Sequence, residues 1–84
     1  MKVKMAIYIE RTNTEHKFDG TPEKTLEALR TAFDMWDCLS NDYRGWVSLA
    51  ADDFKFTATL YFGNKGSFDS ARERLQKILF YVFQ

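Results

Sequence analysis

Residues 67–84 read SFDSARERLQKILFYVFQ, and the reading of ILFYVFQ (78–84) decides the fold. Read as one continuous helix, the segment sets Phe68, Ala71, Leu75, Ile78, Leu79 and Val82 on one face, with Phe83 at its edge. Read as a strand, 78–84 follows a helix that stops near Lys77 and completes a ferredoxin-like βαββαβ order. Its β-branched and aromatic residues favour the strand. No Gly, Pro or Asn separates the tail from the helix, however, and a sharp chain reversal usually needs one. The continuous helix is the preferred expectation. On that helix Phe80 projects among Asp69, Glu73 and Gln76, with Tyr81 on the opposite flank. Both rings are candidates for contact with a partner or a second copy.

Upstream, the pattern has a period of two. Val3, Met5, Ile7 and Ile9 alternate with Lys4, Ala6, Tyr8 and Glu10, as in a half-buried strand. RTNTE (11–15) is a polar turn, and 15–20 is a candidate return strand. Farther on, Val47, Leu49 and Ala51 alternate with Trp46, Ser48 and Ala50. Asp52-Asp53 makes a turn, and Phe54, Phe56, Ala58, Leu60 and Phe62 alternate with Lys55, Thr57, Thr59 and Tyr61.

Between these hairpins the period changes to that of a helix. Thr21 is a good N-cap, Pro22 suits the first helical position, and Glu23 complements the helix dipole. Leu26, Ala28, Leu29, Ala32, Phe33, Met35, Trp36 and Leu39 fill one half of the helix. Glu23, Glu27, Arg30, Asp34 and Asp37 form a charged stripe on the other. Ser67 is the expected cap of the second helix. The order is therefore β(β)αββα in a single α+β domain over 1–84, an antiparallel sheet of three to four strands with two helices on one face.

Composition narrows the function. The 84 residues carry 12 Lys plus Arg and 12 Asp plus Glu, a balance that argues against broad capture of nucleic acid or anionic membrane. Cys38 is the only cysteine, expected as a small buried hydrophobe in a reducing compartment. With His16 it is also the only soft metal ligand, too few for a zinc site. The N-terminus lacks the apolar run of a signal peptide, and 78–83 is too short to span a bilayer. The expectation is a cytoplasmic protein that is not secreted.

No motif carries catalysis. His16 reads as a solvated turn residue, and Asp34 and Asp37 beside Cys38 disfavour its thiolate. GNKG (63–66) lacks the spacing of a phosphate loop. The expected function is therefore binding without catalysis, cofactor or metal. Short chains of this kind are common among phage and mobile-element proteins that bind one host macromolecule, and that association gives the first expectation of a protein-binding inhibitor or adaptor. Its face would be the acidic helix, Glu23, Glu27, Asp34 and Asp37, with Trp36 as apolar anchor, docking on a partner with a basic surface. A homodimer that completes the core is compatible with it. The alternative is a single-stranded nucleic-acid binder using Tyr8 and Tyr61 on the outer sheet face with Lys2, Lys4 and Lys55. YRGWVSL (43–49) resembles the Gly-aromatic strand of RNA-recognition modules, although the remainder of that motif is missing.

Overall fold

The computed structural model describes residues 1–51 and 55–82. Four seven-residue strands, β1 (Val3–Ile9), β2 (Thr14–Gly20), β3 (Gly45–Ala51) and β4 (Phe56–Phe62), form one antiparallel sheet in the order β2-β1-β3-β4. The return strand at 15–20 is therefore real and begins one residue earlier. Asn13 closes the β1–β2 turn with a positive φ of 49°, a conformation asparagine tolerates well. Its amide NH donates to the Glu10 carbonyl at 3.1 Å, and its side-chain oxygen accepts from the Tyr8 hydroxyl at 2.8 Å. The turn residues Arg11 and Thr12 are thereby held at one end of the sheet.

β2 and β3 flank β1 and both run antiparallel to it, so they are parallel to each other. A parallel pair needs a long crossover, and helix α1 (Pro22–Leu39) supplies it. The Thr21 side chain caps α1 by accepting the Lys24 amide at 3.2 Å. Thr25, fully buried, satisfies its hydroxyl on the Thr21 carbonyl at 2.8 Å. Helix α2 (Lys65–Lys77) is capped by Asn64 rather than Ser67. Ser67 is the third helical residue, and it closes a capping box by accepting the Asn64 amide at 3.1 Å. The reciprocal Asn64–Ser67 pair satisfies more backbone donors than Ser67 alone would.

The tail stays helical. Beyond Lys77 the chain continues as a π-helical turn over Ile78–Val82, with no break at the junction and no fifth strand through Val82. The ferredoxin-like alternative is thus not adopted in the described chain. Phe68, Ala71, Leu75 and Leu79 are buried along one face. Asp52, Asp53, Phe54, Phe83 and Gln84 lie outside the described residues, and with them the expected Asp52-Asp53 turn.

Alternate strand residues face the helices. Val3, Met5, Ile7, Val47, Leu49, Ala51 and Phe62 join Leu29, Phe33, Trp36, Phe68, Ala71, Leu75 and Leu79 in one core. Its centre is aromatic: Phe33 and Phe68 stack at 4.7 Å, and Trp36 and Phe62 meet Phe68 edge-on at 5.3 and 5.5 Å. Each ring buried this way is worth about 1.5–3 kcal/mol in area alone. Both helices lie on this side, so the other face of the sheet carries no helix.

Candidate binding surfaces

At about 100° per residue, Trp36 marks the centre of the buried face of α1, with Leu29 and Phe33 close to it. Trp36 is only 6% exposed, and its indole N–H donates to the Asp42 carbonyl at 2.9 Å. It is a core residue rather than the surface anchor expected from the sequence. Cys38 lies roughly 200° around from Trp36 and is exposed, so the expectation of a buried thiol is corrected.

The charged residues of α1 divide by what they face. Asp34, Asp37 and Arg30 turn towards α2. There the Arg72 guanidinium pairs with Asp34, the Lys65 ammonium reaches Asp37 at 2.8 Å, and Arg30 donates to Gln76 at 2.9 Å. The Tyr43 hydroxyl also donates to Asp37 at 2.8 Å. Lys65 and Tyr43 together hold the Asp37 carboxyl below its ordinary range, and the bond to Asp37 pushes the Tyr43 phenol up. Glu23 and Glu27 remain exposed, with no ion pair among the described residues. The stripe is therefore largely a seam between the helices, and half of its acidic charge is already matched.

On the opposite flank of α1 the apolar arc extends past the sheet. Met35 and Leu39 stand 56% and 73% exposed, although the periodicity placed them in the core half. They form one wall of a cleft of about 350 Å³ between α1 and the β1–β2 hairpin. Ile7 and Ile9 line its sheet side, and Arg11 and His16 stand at its rim. His16 lies within β2, opposite Ile7 in register, and so faces the helix side rather than sitting in a turn. It is exposed, as expected.

A second surface is the helix-free face of the sheet. Glu15, Tyr8, Trp46 and Tyr61 fall in one cross-strand row. Tyr8 and Trp46 stack at 5.6 Å with a 16° interplanar angle, and Tyr61 is 75% exposed. Trp46 is the member missing from the nucleic-acid face read from the sequence. The period of two already placed it on the same side as Ser48 and Ala50. Beside this row, Ala6, Ser48 and Ala50 floor a depression walled by Lys4, Lys17 and Asp19. Lys2 lies 3.9 Å from Asp19 and Lys17 3.8 Å from Glu15, contacts that contribute little in solvent. Lys55 is exposed in the turn just before β4.

The third surface is the tail. Phe80 and Tyr81 are both more than half exposed and meet edge-on at 5.0 Å, beside Arg30, Gln76 and Lys77. The structure thus brings into contact two rings that the sequence placed on opposite flanks of the helix. It separates them from the outer face of the sheet and from the Met35–Leu39 cleft.

Among the described residues no group of three or more His, Cys, Asp or Glu side chains converges on a metal position. No described helix is long and apolar enough to cross a membrane. No protein family, curated protein or solved structure matches the chain.

Proposed function

We propose that this chain is a non-catalytic binding domain that docks on another protein, as a small inhibitor or adaptor would. The observation that carries this reading is the exposure of Met35 and Leu39 over an apolar cleft. A long aliphatic side chain left in water at the lip of a concave apolar surface costs solvation, which a partner side chain can recover. Methionine also adapts to different partner shapes at low cost. The acidic stripe, being paired across the helix seam, contributes less than its sequence implied. Glu23 and Glu27 stand outside the cleft lining.

The test is affinity capture from host lysate treated with nuclease, using wild-type protein and the Met35→Gln/Leu39→Gln variant. A stoichiometric protein partner retained by the wild type and lost by the variant supports the reading. Equal recovery by both proteins would overturn it.

The Tyr8–Trp46–Tyr61 row favours a second reading, single-stranded nucleic acid laid across the open sheet, because bases stack on exposed rings. It predicts salt-sensitive oligonucleotide retardation that Tyr61→Ala weakens. Failure to retard any oligonucleotide at low salt would dismiss it.

A further inference from the structure

The protein-binding reading leaves the chemistry of the partner open, and the rim of the cleft narrows it. Resting on that reading, we infer that the cleft receives a short acidic-apolar segment of the partner. One apolar side chain sits against Ile9, Met35 and Leu39, and a neighbouring carboxylate is met by Arg11 and His16.

The Arg11 guanidinium at the rim has no direct ion pair among the described residues, because the carboxylates near it lie against other cations. Asp42 is held in a two-point pair by Arg44, at 3.0 and 2.8 Å, and Arg44, with a smaller pull from the Arg11 charge, draws its carboxyl down to about 2. Glu10 also lies towards Arg44, at 3.9 Å. Glu15 projects to the other face of the sheet, opposite Tyr8, where Lys17 is its neighbour. Arg11 consequently makes no ion pair or hydrogen bond among the described residues, and the same holds for His16. The helix side of the cleft itself adds no acid, since Ala32, Met35, Trp36, Leu39 and Ser40 line it there; Glu27 lies beyond Met35, in the neighbouring depression.

The turn fixes where this charge stands. Asn13 holds the left-handed position, and Thr12 and Thr14 join their hydroxyls across the turn, which leaves Arg11 at the mouth of the cleft. A guanidinium with no direct hydrogen-bond or ion-pair contact is well suited to a carboxylate, which it can grip with two parallel bonds. The cleft volume is at the small end of the roughly 300–1,000 Å³ typical of ligand pockets. That suits a single anchoring side chain better than a whole helix face.

Panning a random dodecapeptide library on the folded protein tests the inference while the natural partner is still unidentified. The expected selection is a sequence with one large aliphatic or aromatic residue within a few positions of Asp or Glu. Its affinity should fall roughly tenfold or more with Arg11→Glu, and similarly with Met35→Gln/Leu39→Gln. The substituted positions are exposed or at the rim, and proton–nitrogen correlation spectra would verify that each variant keeps the fold. Selected peptides without acidic residues, or affinities unmoved by Arg11→Glu, would overturn the acidic chemistry while leaving the cleft in place. Peptides indifferent to Met35→Gln/Leu39→Gln would remove the cleft itself and the docking reading with it. A library yielding nothing above background would also overturn the inference, leaving protein docking to stand or fall on affinity capture.

Discussion

Replacing Gly45 by alanine is expected to remove much of this domain's margin of stability. Gly45 opens β3, opposite Ile9 on one side and Phe62 on the other. A Cβ there would sit 2.1 Å from the Tyr8 carbonyl oxygen and 2.7 Å from the far edge of the Trp36 ring. The glycine is not demanded by a positive φ, since no glycine in the described chain has one, so the cost is purely steric. The ring edge has little room to retreat, because Trp36 is buried and tethered through its indole N–H. The carbonyl is backbone of the central strand β1. Relief therefore requires β1 and β3 to separate or Trp36 to leave its place. Overpacking of this kind costs about 3 kcal/mol or more. At about 4–8 °C per kcal/mol for a domain of this size, the midpoint should fall by roughly 12–24 °C. Gly63→Ala is the internal control. Nothing lies within 4 Å of its added Cβ, and reduced freedom of the unfolded chain should leave stability equal or about 0.4–1 kcal/mol higher. Thermal denaturation followed by far-ultraviolet circular dichroism measures both. Equal midpoints for Gly45→Ala and wild type would refute the packing described for β1, β3 and Trp36.

The helical tail makes adjacent residues behave differently. Leu79→Ala, at a fully buried site, should cost about 2–5 kcal/mol, whereas Phe80→Ser should stay within about 0.5 kcal/mol of wild type. Equal losses in urea denaturation would contradict a helix that buries only one side. Stability should also fall in acid. The folded Asp42 carboxyl titrates at about 2 against 3.8 for the free group, so its contribution is complete above the free value and is lost as pH falls towards 2. Asp37 shifts the same way, through Lys65 and Tyr43. Asp42→Asn should flatten that part of the stability curve, and a parallel curve would argue against the Arg44 pair. Finally, Cys38 is exposed, so a thiol reagent should titrate it in the folded protein about as fast as in denaturant; strong protection would place it in the core after all.

Much of the architecture was legible because period and punctuation agreed. Alternation in 3–9 and 45–51 and the Thr21-Pro22 helix start each pointed to one structure, and the uninterrupted junction at Lys77–Ile78 was enough to weigh against a final strand. What local pattern could not supply was the width of the partner layer. Met35 and Leu39 share the apolar half of α1 with Leu29 and Phe33, and only the position of the β1–β2 hairpin determines that the sheet does not cover them. The acidic stripe failed for a related reason. Asp34 and Asp37 look solvated within α1, but their cations, Arg72 and Lys65, lie 38 and 28 residues later on α2. For Trp46, strand parity gave the face, beside Ser48 and Ala50, but only the pairing of β3 with β1 and β4 sets it between Tyr8 and Tyr61. Arg11 was not legible, because a turn arginine becomes informative only when the neighbouring carboxylates are seen to be engaged.

The proposed seat for a protein partner is the cleft beside α1. Hydrogen–deuterium exchange on the complex with the captured partner separates that seat from the open sheet, because α1 and β4 belong to different surfaces. Binding in the cleft should add protection in 35–40 and around the 10–13 turn, with 57–61 unchanged. Protection confined to β4 and the neighbouring β3 would rule the cleft out and move the binding site to the open face of the sheet.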